Sequence, residues 1–430
     1  VFVWKTWSHG ALAQGVTRVY GVGGEPTERG IVRWGNRYTT VDYPPIAVYE
    51  LAAAGAVYRL FFPAFENSRW LNVAMKLPGV LAECGLAIFL WRAIRRRYGG
   101  DAGRWAAAAY WANPAMILAG PVLGYLDPLM AWPSVAALIA AAAGAPVAAG
   151  ALAVTACLTK VQAVFILPVV VLALWNVSPH GRLARGVAAS ASGALVALAA
   201  LGPYVAAGAW RNLVQGVSSL LRHDMLSADA ANVWWLVTYV LRATYAVADL
   251  GAWEAWTMRL RILAISRVIA LGYPNPRPVA MGAVGLAMFW GLWRARRSSD
   301  PALMLACAAV IVHAYFVLGV QVHENHLYLA VPLLAGAAAS RPRLRPVLLS
   351  TSIVFALNLY LTVGLGRGFP LPPRNLTIID STVLLAAANC GLLIWHALRF
   401  SAECSASAQA GPGARGTLAA DRSAGALGGC

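Results

Sequence analysis

Lysine is nearly missing from this chain. Of 34 basic residues only Lys5, Lys76 and Lys160 are lysines, and acidic residues number 17. Charged residues make up 12% of the 430 positions, against 60% hydrophobic ones. A soluble fold of this length has too little polar surface in such a sequence to cover its apolar mass, so a soluble protein is excluded. The ~10-residue segments of alternating polarity that mark a transmembrane β-barrel are also lacking. The six cysteines have no CxxC or metal-ligand spacing. Cys84, Cys157, Cys307 and Cys390 lie in apolar runs, Cys404 and Cys430 in the tail, which gives no disulfide framework. No secretory signal pattern opens the chain, which starts at Val1 with an amphipathic stretch, VFVWKTWSHGALAQGVTRVYG.

Long apolar runs are abundant. They fall at about 70–91, 105–122, 129–144, 147–159, 162–176, 187–203, 279–293, 302–319, 326–339, 347–364 and 377–397. Runs of roughly 15–20 apolar residues recurring along the whole length predict an all-α fold, a polytopic bundle of transmembrane helices. About 11 spans are visible, and alternation from one side to the other requires one more ahead of Val1. The net charge of +17 sits mainly in short arginine-rich loops, which speaks for membrane topology rather than for nucleic acid. With the abundance of Ala and Gly, the preference for Arg over Lys points to a bacterial, GC-rich source.

Arginine clusters at 92–104, 178–186, 294–297 and 340–346 mark inner loops, because basic residues are retained on the cytoplasmic side. Threading the runs on that basis places 1–69 outside as a first loop with amphipathic helices, followed by a first bundle over 70–203. Residues 204–278 form a large outer or re-entrant segment, 279–400 a second bundle, and 401–430 a disordered, low-hydrophobicity inner tail. The turn GYLDPLM (124–130), the junction LTKVQ (158–162), VHENH (322–326) and GRGFPLPPRN (366–375) then also face outward.

Nearly all the chemically useful side chains gather on that outer side. Asp42 stands in VDYPPIAVYE, where two prolines favour an extended entry into a helix and an acid near the helix dipole is the plain structural reading. Asp127 precedes Pro128 between two apolar runs, where an N-cap is the structural alternative. Lys160 and Gln162 lie in LTKVQ, and Lys76 lies toward the outer end of its run. Lysine snorkelling to an interface competes there with a compact charge held for phosphate. Arg222 and His223 belong to the outer segment, as does Arg374 to its own loop. His323, Glu324 and His326 break an apolar region within four residues, and ionisable groups at membrane depth are expensive and by default functional. Their spacing is one residue short of the HExxH zinc pattern and no third ligand is evident, so a polar girdle or a phosphate contact competes with metal binding.

The order DYPP, Asn113-Pro114 with the later Asp127, LTKxQ with Pro168, ANVWWL (231–236) and QVHEN resembles the GT-C superfamily of membrane glycosyltransferases, which use polyprenyl-phosphate sugars. The likeness runs from Val1 to about residue 365. Within the superfamily it is similar to the dolichyl-phosphate-glucose-dependent glucosyltransferases of N-glycan assembly, with their DYPPL, KxQ and QVHEK patches. It is also similar to bacterial polyprenyl-phosphate-mannose-dependent mannosyltransferases. The resemblance implies an inverting hexosyltransferase, transferring mannose or glucose from the lipid donor to a lipid-linked or cell-envelope glycan on the extracytoplasmic face. That face is the outer side of a bacterial cytoplasmic membrane, or the lumenal side of the endoplasmic reticulum in a eukaryote.

Partners would be membrane lipids, the donor and a glycan or glycolipid acceptor, with no nucleic acid and no required cofactor or metal. Asp127 would support acceptor or sugar, Lys160 and Gln162 would line the donor phosphate with His323 and Glu324, and Arg222, His223 and Lys76 would be weaker contributors. The family's usual base would fall immediately before Val1, leaving Asp42 as the visible substitute. A lysine that often follows His-Glu in the family is Asn325 here. A transporter or flippase, with ionisable groups near the midplane, and an inactive truncated relative are the rival expectations.

Overall fold

A computed structural model describes residues 2–20, 31–35, 37–366, 369–374 and 378–409. The described chain is helical apart from one β-hairpin, β1 (Ile31–Trp34) paired antiparallel with β2 (Arg37–Thr40). Its first part holds α1 (Phe2–Gln14) and α2 (Pro45–Phe61), ahead of the long α3 (Arg69–Tyr98). Ser68 caps α3 by accepting from the backbone of Trp70 and Leu71, and the helix ends on Arg95, Arg96 and Arg97 before Gly99 at φ 97°.

The first apolar bundle continues with α4 (Gly100–Trp111), α5 (Pro114–Ile117), α6 (Asp127–Ala142), α7 (Pro146–Thr159), α8 (Leu167–Val177) and α9 (Arg182–Ala206). Several runs that look continuous in sequence are broken. The 105–122 run stops at Asn113, whose side chain caps the next helix at Ala115 N (3.0 Å) and donates to Ser352 Oγ (2.7 Å). A π-helical turn over Leu118–Leu123 follows, closed by Gly124 in the left-handed region. Between α7 and α8 the backbone extends at Lys160, which would leave its carbonyl-side helix bonds unmade if the 3-10 turn Val161–Ile166 did not resume the coil.

Beyond residue 206 come α10 (Trp210–Ser218), α11 (Val233–Leu250), α12 (Ala252–Thr257) and α13 (Ile265–Ala270). The second bundle contains α14 (Pro276–Ala295), α15 (Pro301–Leu318), α16 (Ala330–Ser340), α17 (Arg345–Val363) and α18 (Ser381–Gln409). Helix α15 is the centre of the molecule, buried along almost its whole length against α6, α14, α16 and α18.

Five helical segments are long and apolar enough to cross a membrane: Arg69–Tyr98, Arg182–Ala206, Pro301–Leu318, Pro342–Val363 and Ser381–Gln409. Four shorter apolar ones accompany them, Pro114–Leu123, Asp127–Ala142, Pro146–Thr159 and Val161–Val177. Together they make this a multi-pass membrane protein. Most of the expected runs fall on single helices, whereas 105–122, 162–176 and 326–339 are each broken into shorter pieces. Residues 401–409, expected to be disordered, continue α18, where Glu403 and Cys404 are buried against the bundle. The rest of the expected tail, 410–430, lies outside the described residues.

The bundle has two chemically different ends. At one, all four arginine clusters meet. Tyr98 donates to Asp300, Arg341 bridges Asp300 (2.6 Å) and Glu403 (2.9 Å), and Arg294 reaches Ser401 O (2.9 Å). Asn176 donates to Ser298 O at 2.7 Å, and Arg345 lies 4.7 Å from the centroid of Trp105. The other end holds Asp42, Asp127, Glu324, His223, His323, His326 and the buried Lys160.

Candidate active site

The site starts from a buried ion pair. Lys160 Nζ and Asp127 Oδ1 are 2.7 Å apart, and each residue is 1% exposed. Asp127 opens α6 without capping it; its second oxygen instead accepts from Asn325 Nδ2 at 2.8 Å. Lys160 Nζ also stands 5.5 Å from the centroid of Tyr43, the residue after Asp42. Three segments far apart in sequence are thereby fastened to one another: the DYPP entry, the α7–α8 junction and the HEN turn. Burial works against the charged lysine, yet the Asp127 carboxylate and Tyr43 outweigh it and hold its pKa above the ordinary value. A buried pair of this kind is stable only when every remaining polar atom is satisfied, which is what Asn325 and Tyr43 do here.

The HEN segment lies in a 3-10 turn, Glu324–Leu327. The Tyr125 hydroxyl donates to Glu324 Oε1, and His323 Nδ1 is 3.9 Å from Glu324 Oε2. Burial raises the Glu324 carboxyl and lowers His323 to about 4, helped by the positive charges of His223 and Lys160. His323 is therefore neutral at pH 7. His326 has both ring nitrogens engaged: Nδ1 faces the Tyr315 hydroxyl at 3.0 Å and the His323 backbone N–H at 3.4 Å, and Nε2 meets the Gln162 amide at 2.8 Å.

Asp42 and His223 form the open rim. Asp42 is half-buried, and burial raises its carboxyl while the charges of His223 and Lys160 partly counter this. Among the described residues no side chain donates a hydrogen bond to it. His223 and His323 meet edge to face with centroids 6.0 Å apart, and the His323 side chain is 37% exposed. The segment that carries His223 is stitched to the residues just before the HEN turn through Ala228 N–Val322 O (2.9 Å) and Gln321 N–Leu226 O (3.0 Å). Asp229, at φ 58°, and Gln321, at φ 60°, hold the left-handed turns this stitching needs.

Asp127, Asp42, Lys160, Gln162, His223, His323 and Glu324 are thus gathered at one end. Two expected contributors stand apart. Arg222 is exposed and turns back to Gln215 O (3.2 Å). Lys76 donates to Pro121 O (3.0 Å) and Val122 O (2.6 Å), tying α3 to the π-helical turn. Arg374 is buried against Asp380 (3.3 Å), Thr382 (3.0 Å) and Asp229 (3.9 Å), fixing its own loop. Tyr43, Tyr125, Tyr315 and the bonding role of Asn325 were not read from the sequence. The adjacency of Tyr43 to Asp42 and of Tyr125 to Asp127 was the signal available.

No protein-family model matches the chain, nor does any curated protein. Among solved structures, the crystal structure of ArnT from Cupriavidus metallidurans bound to undecaprenyl phosphate is similar, with a TM-score of 0.47 and 17% identity over 94% of this chain and 72% of that one. A likeness at that level assigns no residue and no activity.

Proposed function

We propose that the chain is an integral membrane glycosyltransferase of GT-C type. It transfers a hexose, mannose or glucose, from a polyprenyl-phosphate donor to a lipid-linked or envelope glycan, with inversion, on the extracytoplasmic face. The observation that carries this reading is the convergence of DYPP, LTKVQ and QVHEN on the single Tyr43–Lys160–Asp127–Asn325 contact. Those patches are the ones by which the sequence resembles that superfamily. A bundle needs no such meeting for stability, since buried ion pairs are on balance poor stabilisers.

The reaction asks for little. A polyprenyl phosphate leaves without protonation, and one carboxylate takes the proton from the attacking hydroxyl. Asp42 is the carboxylate for that step: it stands half-buried at the rim, lacks a competing side-chain donor and has a raised pKa. Both Asp127 oxygens are engaged, by Lys160 and Asn325, so its role is to fix the HEN turn and the wall on which acceptor or sugar would rest. Lys160 is buried in the same way, so the positive field it projects, rather than a direct clamp, acts on the donor phosphate. His223, His323 and Gln162 supply the nearby hydrogen-bonding edges, and Glu324, bound by the Tyr125 hydroxyl, lies beside His323.

Transfer assays in vesicles with polyprenyl-phosphate-mannose and polyprenyl-phosphate-glucose test the reading. Wild-type turnover with one donor, lost in Asp42→Asn and in His323→Ala with Glu324→Gln, supports it. Unchanged donor affinity and turnover in those variants would sink it.

A further inference from the structure

The opposite end of the bundle contains a cavity of about 200 Å³ between the end of α14, the 296–300 turn and the last turns of α18. Its wall includes Arg294, Arg296, Arg297, Ser298, Ser405 and Ser407. Three arginines therefore line a small space, with Arg296 Nη1 donating to Trp293 O (2.6 Å). The carboxylates near them, Asp300 and Glu403, are already taken by Arg341 at 2.6 and 2.9 Å. Among the described residues none of the three arginines has a carboxylate within ion-pair distance. Arg294 Nη2 is spent on Ser401 O (2.9 Å) and Ser405 Oγ (2.8 Å), but its Nε–H is buried with no acceptor. A buried unmet donor is costly and is satisfied by a ligand or ordered solvent.

We infer that this cavity binds a phosphate-bearing anion. Planar guanidinium forks match phosphate oxygens two at a time, and serine hydroxyls complete the shell. At ~30 Å³ of liquid volume per water, the space holds a phosphate ester with a few waters. The chemistry is the same for a free phosphate and for an acidic phospholipid headgroup. The surface beside the cavity favours the lipid: Leu286, Phe289 and Trp293 are exposed on one face of α14, in helical register with Arg296 and Arg297. Arg296 lies 3.7 Å from the Trp293 centroid, at the junction of apolar face and charged rim. A headgroup in the cavity would leave its acyl chains along that face. The proposal concerns the arginine-rich end and stands apart from the catalytic reading.

The full-length protein, reconstituted in phosphatidylcholine with and without phosphatidylglycerol and released for native mass spectrometry, tests this. Arg297→Gln removes a charge from an exposed side chain; Arg294→Lys keeps the charge but removes the fork; Arg96→Gln is an equal charge loss elsewhere at the same end. Retained phosphatidylglycerol should fall roughly tenfold in the first two variants, the scale of one charge-assisted contact, and not in the third. A parallel melting curve with inorganic phosphate in phosphatidylcholine discs separates the sources. A shift lost in Arg297→Gln assigns a free anion, and phosphatidylglycerol adducts without such a shift assign a headgroup. Equal loss in all three variants, or no response to either probe, overturns the proposal.

Discussion

Asn325 donates its side-chain amide to Asp127 at 2.8 Å across 198 residues of sequence, and both residues are buried. The asparagine stands where the resembling family often has a lysine. Here a lysine at that place would put a second cation beside Lys160 around one carboxylate. The neutral amide satisfies Asp127 without that repulsion.

Asn325→Asp should be worse than Asn325→Leu. The first places two carboxylates in contact; the second leaves one acceptor of Asp127 unmet, at about 1.5–3 kcal/mol for a hydrogen bond to a charged group. Melting temperatures of the purified variants check the order.

Lys160→Met should cost about 3–5 kcal/mol, because it strands the Asp127 charge in a dry site. Lys160→Met with Asp127→Leu should recover much of that stability while transfer activity stays lost. A double-mutant cycle by thermal or denaturant unfolding measures the coupling. Additive losses would show that the pair is not the fastening point of the site.

Asp42→Asn should lower turnover by about 10²–10⁴, the range for a positioned general base, with little change in stability. Because burial raises the Asp42 carboxyl above the usual carboxylate range, wild-type activity should fall on the acid side at a higher pH than an ordinary aspartate would give. A pH–rate profile reads this directly, and its acid limb should not survive in Asp42→Asn.

Glu50 on α2 is pushed up to about 8 by burial, and its Oε2 has no hydrogen-bond partner. The folded state then holds a proton that the unfolded chain gives up near pH 4.5. Its contribution is complete below that value and is lost as pH rises toward 8. The melting temperature of wild type should decline over that window, and Glu50→Gln should flatten the decline.

Much of the helical order was legible in the sequence because apolar runs and arginine clusters are local signals. The ends of α3 at Arg95–Arg97 and of α14 at Arg294 fall where the charge pattern puts them. The DYPP, KVQ and HEN patches were also visible. What was not legible is how they are spent. Lys160 reads as an open cation, and only the fold shows its charge committed to Asp127. Arg222 and Lys76 read as site residues because side-chain direction is set by packing: one turns back over α10, the other caps exposed carbonyls of the π-helical turn. The hairpin Ile31–Thr40 escaped notice since its strands are four residues each, and α18 runs past residue 400 because Glu403 finds Arg341.

The most direct measurement is photo-crosslinking of the wild-type protein in vesicles with a diazirine-bearing polyprenyl-phosphate hexose, followed by peptide mapping. It needs no knowledge of the acceptor. The account predicts labelling around Asp42, His223 and His323 that excess polyprenyl phosphate competes away. Labelling confined to the arginine-rich end, or labelling that no competitor removes, would contradict it.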